Sequence, residues 1–403
     1  MKDKIIIAIN EMGENPTIKN MYVVAEIAKK GKLSNEYIAY LATKLAKSGI
    51  ILFEEDNYEF VDIASTGGPT SLTTLLCPLL LNAEGMKIPK LGVPGRPAGG
   101  IDVLSQIPNY NINPNVEIIK TIIKHSGYVH FLTNKNFVPL DEVFFKFRQE
   151  NGYQSIPALV IASILSKKLS VNLKITGLDV RVSKHGNFGP TWKEAKINAI
   201  RFCEVAYILG IKTKCFLTNG EIPFQPYIGR SESLMAIYDL LNTKICDRLR
   251  SHLYLCSRIA GSLIDKDITS NVISNIAIAF EKNILAQGSK ISLFNEFVKK
   301  KKILHKYIIT SRSEGILLID IKIIRDILVK LQNSAKVNTN SFPDPAGLIL
   351  HKFTGDYIKY GELLASVRIE RESFSDYEDE FYKAFSLKEN SPFENFYEEI
   401  NNA

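Results

Sequence analysis

Residues 58–85 read YEFVDIASTGGPTSLTTLLCPLLLNAEG, and this stretch decides the fold class of the chain. The run YEFVDIA at its start predicts a short strand, and LTTLLCPLLLNAEG at its end has the length and apolar content of a buried helix. Between them, STGGPTS joins strand to helix through two glycines and several hydroxyl residues. A strand, a glycine-bearing turn and a helix in this order form the first unit of an α/β layer.

The alternation of strand and helix signals continues on the carboxyl side of this unit. A second strand is followed by a glycine-rich turn, by a helix that begins near Ile101 and by a third strand, and two more strands flank a long helix further on. Such alternation favours an α/β fold with a mixed, mostly parallel sheet. The stretches that carry it are KIPKLGV (87–93), PGRPAGG (94–100), GYVHFLT (127–133), LKITGLDVRVS (173–183), TWKEAKINAIRFCEVAYILG (191–210) and IKTKCFLTN (211–219).

The other segments differ in character and divide the chain. Apolar residues at three-to-four spacing predict a small all-α domain, a larger α/β domain follows from the alternation, and short β-like stretches predict a C-terminal β-rich α+β subdomain. The predicted boundaries are 1–52 and 139–170 for the helical domain, 53–138 and 171–304 for the α/β domain, 305–370 for the C-terminal subdomain and 371–403 for an acidic amphipathic tail. The apolar stripes of this tail are formed by Phe381, Phe385, Phe393, Phe396 and Tyr397.

Composition limits the classes of function. The 403 residues carry 50 Lys and Arg against 43 Asp and Glu, and a net charge of +7 is small for this length, so no nucleic-acid partner is expected. No apolar run reaches the roughly 18 residues of a spanning helix and the first residues lack a signal-peptide core, so we expect a cytoplasmic protein with no membrane partner. The five cysteines include no CxxC pair and the histidines show no metal-ligand spacing, which predicts free thiols and no metal.

The turn STGGPTS (65–71) has the layout of an anion site. Backbone N–H groups at the start of a helix bind phosphate-like groups, glycine permits their close approach, and neighbouring hydroxyls add donors. A tight strand-to-helix turn, with glycine present only for its backbone freedom, explains the same residues. The candidate phosphate- or sugar-binding residues are Ser65, Thr66, Gly67, Gly68, Ser71 and Thr73.

Two further loops carry charged candidates. In GVPGRPAGGID (92–102), an arginine between glycine and proline is either a donor to phosphate or sugar, or an exposed residue of a proline-stiffened connection. In DVRVSKHGNFGP (179–190), a glycine-bearing loop either closes over a ligand or forms a surface turn. The candidate residues of these loops are Arg96, Gly99, Gly100, Lys184 and His185.

The helix signal SIPALVIASILSKKL (155–169) places Ser163 and Lys167 on one face, because they lie four residues apart. A hydroxyl and an ammonium on an otherwise apolar helix suggest a pocket in which both donate to the oxygens of a planar ring. The alternative is a solvated lysine near a helix C-terminus, where the helix dipole favours positive charge.

Together these motifs resemble the thymidine and pyrimidine-nucleoside phosphorylase family. The resemblance implies a helical domain and an α/β domain with the active site in the cleft between them, and a homodimer formed through the helical domain. It extends from about residue 30 to residue 370 and rests on the order of the motifs VDIASTGG, PKLGVPGRPAGGIDVLSQIP, PLDEVFFKFRQ, SIPALVIASILSKKL, GLDVRV and DPAGLILHKFTGDYIKYGELLASV.

The resemblance also assigns residue roles. Arg148, Ser163 and Lys167 match the family's base-binding set in residue type and spacing. As catalytic residues, they would stabilise the negative charge that develops on the departing base when the glycosidic bond breaks. Arg148 enters the site only through this resemblance.

The phosphate side departs from the family's pattern. Ile63 stands in place of a lysine that meets phosphate, Ala64 in place of a histidine that faces the base, and Gly92 in place of a serine. Losing one charged donor to a dianion costs about 1.5–3 kcal/mol of binding free energy. These losses together indicate a different anion geometry, a different acceptor or a lost reaction. Our hypothesis for the first alternative is that Arg96, Lys184 or His185 restores positive charge from a new direction.

The expected function is that of a pentosyltransferase. It would catalyse reversible phosphorolysis of a pyrimidine nucleoside, thymidine-like or modified, to free base and pentose 1-phosphate, with inorganic phosphate as co-substrate and no cofactor. The alternatives are a non-catalytic homologue that binds a nucleoside or base, and a transferase with a different acceptor or a nucleotide substrate. A phosphoribosyltransferase is disfavoured, because no acidic pair suited to Mg²⁺ lies near STGG.

Overall fold

A computed structural model describes residues 2–56, 58–335, 342–370, 372–388 and 397–401 of the protein. None of the helices in these ranges is both long enough and apolar enough to cross a bilayer. The helices are α1 (Lys2–Glu14), α2 (Ile18–Lys29), α3 (Asn35–Ala46), α4 (Thr73–Ala83), α5 (Ile101–Leu104), α6 (Val116–His125), α7 (Pro139–Glu150), α8 (Pro157–Ser170), α9 (Trp192–Ile208), α10 (Arg230–Leu241), α11 (Asp247–Leu263), α12 (Val272–Ala286), α13 (Ile291–Lys302), α14 (Ile321–Ser334) and α15 (Glu378–Lys383).

The strands of the described residues form four sheets, and we call the one that begins with Val61–Ser65 the main sheet. The strands are β1 (Val61–Ser65), β2 (Ile88–Gly92), β3 (Tyr128–Leu132), β4 (Ile175–Val182), β5 (Lys212–Asn219), β6 (Tyr227–Ile228), β7 (Tyr307–Thr310), β8 (Gly315–Ile319), β9 (Ala346–Leu350), β10 (Tyr357–Ile358), β11 (Leu363–Ile369), β12 (Phe385–Lys388) and β13 (Tyr397–Asn401). The main sheet has the order β1-β4-β5-β13, and the others are β2-β3, β10-β8-β12 and β6-β9-β11-β7.

The main sheet is parallel except for its last strand. β1, β4 and β5 run parallel and β13 is antiparallel to β5. β2 and β3 are also parallel, and a parallel bridge between Phe60 and Lys87 links them to the start of β1. The predicted α/β class with a mixed, mostly parallel sheet is therefore confirmed. Because parallel strands end at one side of a sheet, the loops after β1, β2 and β4 all leave from that side.

Helices cover both faces of the main sheet. All eight residues of β4 are buried, as expected for a strand between two helical layers. One apolar core contains Leu178 of β4 and joins α9 to the helices α1–α3, α7 and α8. A second core contains Ile63 of β1 and joins α4 to α10, α11 and α12. The helices of residues 139–170 therefore pack with those of the N-terminal segment, and α8 lies directly against α3.

The C-terminal part forms a third core around two antiparallel sheets. β11 pairs with β7 and β9, whereas β8 pairs with β10 and β12. Helix α14 lies between β8 and β9 in the chain, and its buried Ile324, Leu328 and Leu331 face this core. Their three-to-four spacing was a helix signal that the sequence analysis did not use.

The predicted tail contributes to two sheets. Phe381 is fully buried on α15, and Phe385 begins β12, which pairs with β8. Tyr397 begins β13, which pairs with β5 of the main sheet. Phe393 and Phe396 lie outside the described residues. In its described part the tail thus comprises a 3₁₀ helix (Phe374–Asp376), the short helix α15 and two strands.

Candidate active site

The three residues matched to base binding converge on one point between α7 and α8. Arg148 lies on α7, Ser163 and Lys167 lie on α8, and their exposed fractions are only 1%, 6% and 8%. Their polar ends meet the carboxylate of Asp141, in the first turn of α7. Ser163 Oγ donates to Asp141 Oδ2 at 3.0 Å, and Lys167 Nζ donates to the same oxygen. We call these four residues the Asp141 cluster.

The Asp141 cluster holds unused hydrogen-bonding capacity. Arg148 Nη2 lies 3.9 Å from Asp141 Oδ1, too far for a good hydrogen bond. Among the described residues, neither Nε nor Nη2 of Arg148 has a hydrogen-bond partner, and neither does Asp141 Oδ1. Burial of such groups without partners costs free energy, so native structures rarely keep them without a reason. The cluster therefore presents two N–H donors of one guanidinium and one carboxylate oxygen that suit a polar ring.

Burial also sets the protonation behaviour of the cluster. Burial lowers the pKa of Lys167 below its ordinary value, and the nearby Asp141 carboxylate only partly opposes this effect. The pKa of Arg148 is lowered for the same reason, again with Asp141 opposing. Lys167 Nζ is held in place by Ser163, whose carbonyl oxygen accepts at 2.9 Å and whose hydroxyl lies at 3.1 Å.

Sequence reasoning missed Asp141. The residue precedes Arg148 by seven positions on α7, and that spacing places both side chains on the same helix face. An acidic residue aligned with the arginine that matches the family's base-binding set was therefore a usable signal. The structure brings the three predicted residues together, but around a carboxylate of the chain itself.

The hydroxyls of the turn STGGPTS (65–71), which we call the STGG turn, also converge on a carboxylate. Ser65 Oγ and Ser71 Oγ each donate to Asp179 Oδ2 at 3.1 Å, and Thr218 Oγ1 donates to Asp179 Oδ1 at 2.8 Å. Thr73 Oγ1 lies 2.8 Å from Ser71 Oγ. Asp179 of β4 is fully buried. The predicted anion donors of this turn are thus brought together, with Asp179 as their acceptor.

The backbone of the turn is fixed from β4. Thr66 N donates to Asp179 O and Thr66 Oγ1 accepts from Arg181 N, both at 2.9 Å. Gly67 and Gly68 have φ values of 101° and 137°, which strain any residue with a side chain. The backbone conformation of the turn is thus sufficient to explain the two glycines. This explanation is compatible with a role of the same turn in anion binding.

The second glycine turn is organised by Asp102. Gly95 N and Gly99 N donate to its two carboxylate oxygens at 2.9 and 3.0 Å, and Arg230 Nε donates at 2.9 Å. Gly100 has a packing role, because a Cβ there would lie 2.6 Å from His130 Cε1. Of the candidate glycines of this turn, Gly99 thus has an acceptor for its amide within the chain.

The cations predicted to compensate for the family's missing lysine are all exposed. Arg96 Nη1 donates to Asn333 Oδ1 of α14 at 2.7 Å. Lys184 and His185 are exposed in the loop after β4. Ile63, which stands in place of the family's lysine, is fully buried, and its side chain would lie 3.1 Å from a Cβ on Gly177. The position is therefore part of the apolar core.

A buried ion-pair network connects the helix of the Asp141 cluster with the strand that precedes the STGG turn. Lys168, the residue after Lys167 on α8, pairs with Asp62 of β1, and Lys90 of β2 pairs with the same carboxylate at 2.7 Å. Asp62 lies three residues before Ser65 in the chain. Two consecutive lysines of α8 thus have different partners. Lys167 belongs to the Asp141 cluster, and Lys168 pairs with β1, the strand before the STGG turn.

Asp102→Ala should destabilise the protein by about 1–3 kcal/mol, because two half-buried amides and the buried Nε of Arg230 lose their acceptor. Arg230 keeps the carbonyl oxygens of Gly95 and Pro343, so its charge is not left without partners. Urea unfolding measures the loss, and Asp102→Asn serves as the matched control that keeps one oxygen. Equal unfolding free energies for parent and Asp102→Ala would show that the turn holds its shape without this carboxylate.

Comparison with known proteins shows what the chain is similar to. Residues 57–160 match the glycosyl transferase family, a/b domain. AMP phosphorylase from Methanococcus maripaludis is 26% identical over 352 residues, which cover 83% of this chain and 66% of that protein. Thymidine phosphorylase from Sinorhizobium medicae is 27% identical over 234 residues, which cover 58% of this chain and 50% of that protein.

Among solved structures, anthranilate phosphoribosyltransferase from Thermus thermophilus aligns with a TM-score of 0.46 at 16% identity, over 72% of this chain and 98% of that one. The chain spans 66% of the length of its AMP phosphorylase relative. Residues 57–160 thus match a glycosyl transferase a/b domain, and the chain is similar to AMP and thymidine phosphorylases, in agreement with its resemblance to the nucleoside-phosphorylase family.

Proposed function

We propose that the protein transfers a pentosyl group between a nucleobase and phosphate, and that the Asp141 cluster binds the base. The observation that carries the proposal is the convergence of Arg148, Ser163 and Lys167, with two guanidinium nitrogen atoms that lack partners among the described residues. A ring with carbonyl oxygens, or with ring nitrogen and exocyclic groups, offers the planar acceptors that such donors need.

The proposed chemistry follows from where charge develops. A phosphate oxygen attacks the anomeric carbon, the glycosidic bond breaks, and the base departs with the electron pair. Donors aimed at the base stabilise that negative charge, and preorganised donors of this kind supply about 10²–10³-fold in rate each. Asp141 holds the Lys167 ammonium in position and does not itself touch the reacting atoms. Because the cluster is buried, water does not weaken these interactions.

The base and the sugar are part of the proposal. A pyrimidine nucleoside is the first candidate, since the three base-binding positions match the pyrimidine-nucleoside phosphorylases. A nucleoside 5′-monophosphate is the second, and the relatives named AMP phosphorylase favour it. Both substrates undergo the same bond exchange at the anomeric carbon.

Incubation with a panel of nucleosides and nucleoside 5′-monophosphates should release free base only when phosphate or arsenate is present. Chromatography of the products identifies the base and the sugar phosphate. Lys299→Met, which changes an exposed lysine on α13, serves as a control with full activity. Tight binding of a base without any product, under every acceptor tried, would instead favour a non-catalytic nucleoside-binding protein.

A further inference from the structure

Arg181 is a buried cation that neither the family pattern nor the sequence analysis assigned. It lies near the end of β4, is 2% exposed, and its Nε, Nη1 and Nη2 atoms have no hydrogen-bond partner among the described residues. Arginine is seldom buried without a paired carboxylate, because its charge then loses hydration without compensation. A guanidinium with every nitrogen atom unpartnered therefore points to an acceptor that comes from outside the chain.

The guanidinium of Arg181 lies against the STGG turn. A Cβ on Gly68 would lie 3.2 Å from Arg181 Nε and 3.7 Å from Nη2, so any side chain at this position would crowd the guanidinium. Arg181 is thus adjacent to the backbone on which the sequence predicted an anion site. In contrast, Arg96 bonds to α14, and the side chains of Lys184 and His185 are exposed.

An aromatic ring covers the other side of the guanidinium. The centre of the guanidinium lies 3.9 Å from the centroid of the Phe224 ring. Phe224 also stacks on His252 at 5.1 Å, and His252 Nε2 accepts from Leu72 N at the start of α4. A ring face attracts the cation but accepts none of its in-plane N–H groups. The N–H groups at the edge of the Arg181 guanidinium therefore remain available to an acceptor that lies in the plane of the group.

The nearest carboxylate does not neutralise Arg181 through hydrogen bonds. Both oxygens of Asp179 accept from hydroxyls of Ser65, Ser71 and Thr218. Burial lowers the pKa of Arg181 to about 10, although the Asp179 charge opposes this effect. The guanidinium is thus positively charged at neutral pH.

We propose that Arg181 binds a phosphate-class oxyanion at the STGG turn, in place of the lysine whose position Ile63 occupies. The planar guanidinium offers parallel N–H donors that match two oxygens of a phosphate group. Because its nitrogen atoms are buried, the oxyanion reaches them only when the Gly67–Gly68 turn or the Phe224 ring moves aside. The proposal rests on the proposed function for the identity of the anion, which is free phosphate or the phosphoryl group of a nucleotide.

Arg181→Gln should weaken binding of the oxyanion by about 10- to 100-fold, the usual loss for a charged hydrogen-bonding partner. Calorimetric titration with inorganic phosphate, AMP and adenosine measures it, with Arg181→Lys as the conservative variant of intermediate affinity. Arg312→Gln is the matched control, because Arg312 also stacks on a ring, 3.5 Å from the Tyr382 centroid, but is exposed in the C-terminal part. Binding of free base to the Asp141 cluster should not change in any of these variants.

The outcomes separate the two proposals. A loss in the phosphate titration identifies free phosphate as the anion, and a loss with AMP alone identifies the nucleotide phosphoryl group; both support the role of Arg181. The proposed role of Arg181 is overturned if Arg181→Gln and Arg181→Lys bind phosphate and AMP with the parent's affinity, even if base release continues. If phosphate binding depends on Arg181 but the protein releases no base, the result supports the anion site and contradicts the proposed function.

Discussion

Replacing Lys167 by methionine should lower kcat for base release by about 10²–10³-fold, the loss typical of one donor to a developing charge. Methionine keeps an unbranched apolar stem, so the change removes the ammonium while most of the packing on α8 remains. The loss should appear in single-turnover release of free base, with the substrate that the nucleoside panel identifies. Lys299→Met is the control on an exposed helix face.

The same substitution should also reduce stability, since Asp141 is 2% exposed and Lys167 is its closest cation. Removing one partner of a buried pair costs about 3–5 kcal/mol, because the remaining charge is left in the interior. The double variant Asp141→Asn with Lys167→Met leaves no such carboxylate and should regain much of the unfolding free energy without regaining turnover. Turnover at the parent's rate in a folded Lys167→Met protein would remove the lysine from the reaction.

Asp62→Ala should destabilise the protein by about 3–5 kcal/mol, because it leaves two ammonium groups in the interior without their carboxylate. Lys90 and Lys168 are 5% and 4% exposed, and they reach Asp62 from β2 and α8. Urea unfolding should show a lower midpoint with little change in slope. Asp326→Ala, which removes an exposed partner of Lys322, is the matched control and should change little.

Acidification gives an independent check of the Asp62 network. Burial alone would raise the pKa of Asp62, but the Lys168 and Lys90 charges outweigh it and hold the pKa below the ordinary value. A carboxylate with a lowered pKa stabilises the fold above its unfolded pKa of about 4, and this contribution disappears as the pH falls through the folded value. The parent should therefore lose more stability below about pH 4 than Asp62→Ala does, and equal losses in both would contradict the network's role.

The sequence predicted those features that depend on spacing within one element. The strand, turn and helix around STGGPTS follow from local patterns, and the common face of Ser163 and Lys167 follows from their four-residue spacing. Arg148 required the family resemblance, because it lies on a different helix. Asp141 could have been found from its alignment with Arg148 along α7.

Features that depend on contacts between distant elements could not be predicted in this way. Ser65 and Asp179 are 114 residues apart in the chain, and only the parallel pairing of β1 with β4 brings them together. The same pairing places Arg181 beside Gly68. In the sequence alone, nothing distinguishes Arg181 from other charged residues in strands. Periodicity predicts that such a strand is buried, but it does not predict which groups of other elements its carboxylate or guanidinium contacts.

The final strand, β13, has a practical consequence for any shortened form of the protein. β13 covers the outer side of β5, along Lys214 to Thr218, with antiparallel pairing. Without residues 397–401, β5 would become an edge strand whose free N–H and C=O groups offer a template for pairing with another molecule. Self-association of a truncated protein would then reflect this uncovered edge rather than the native assembly.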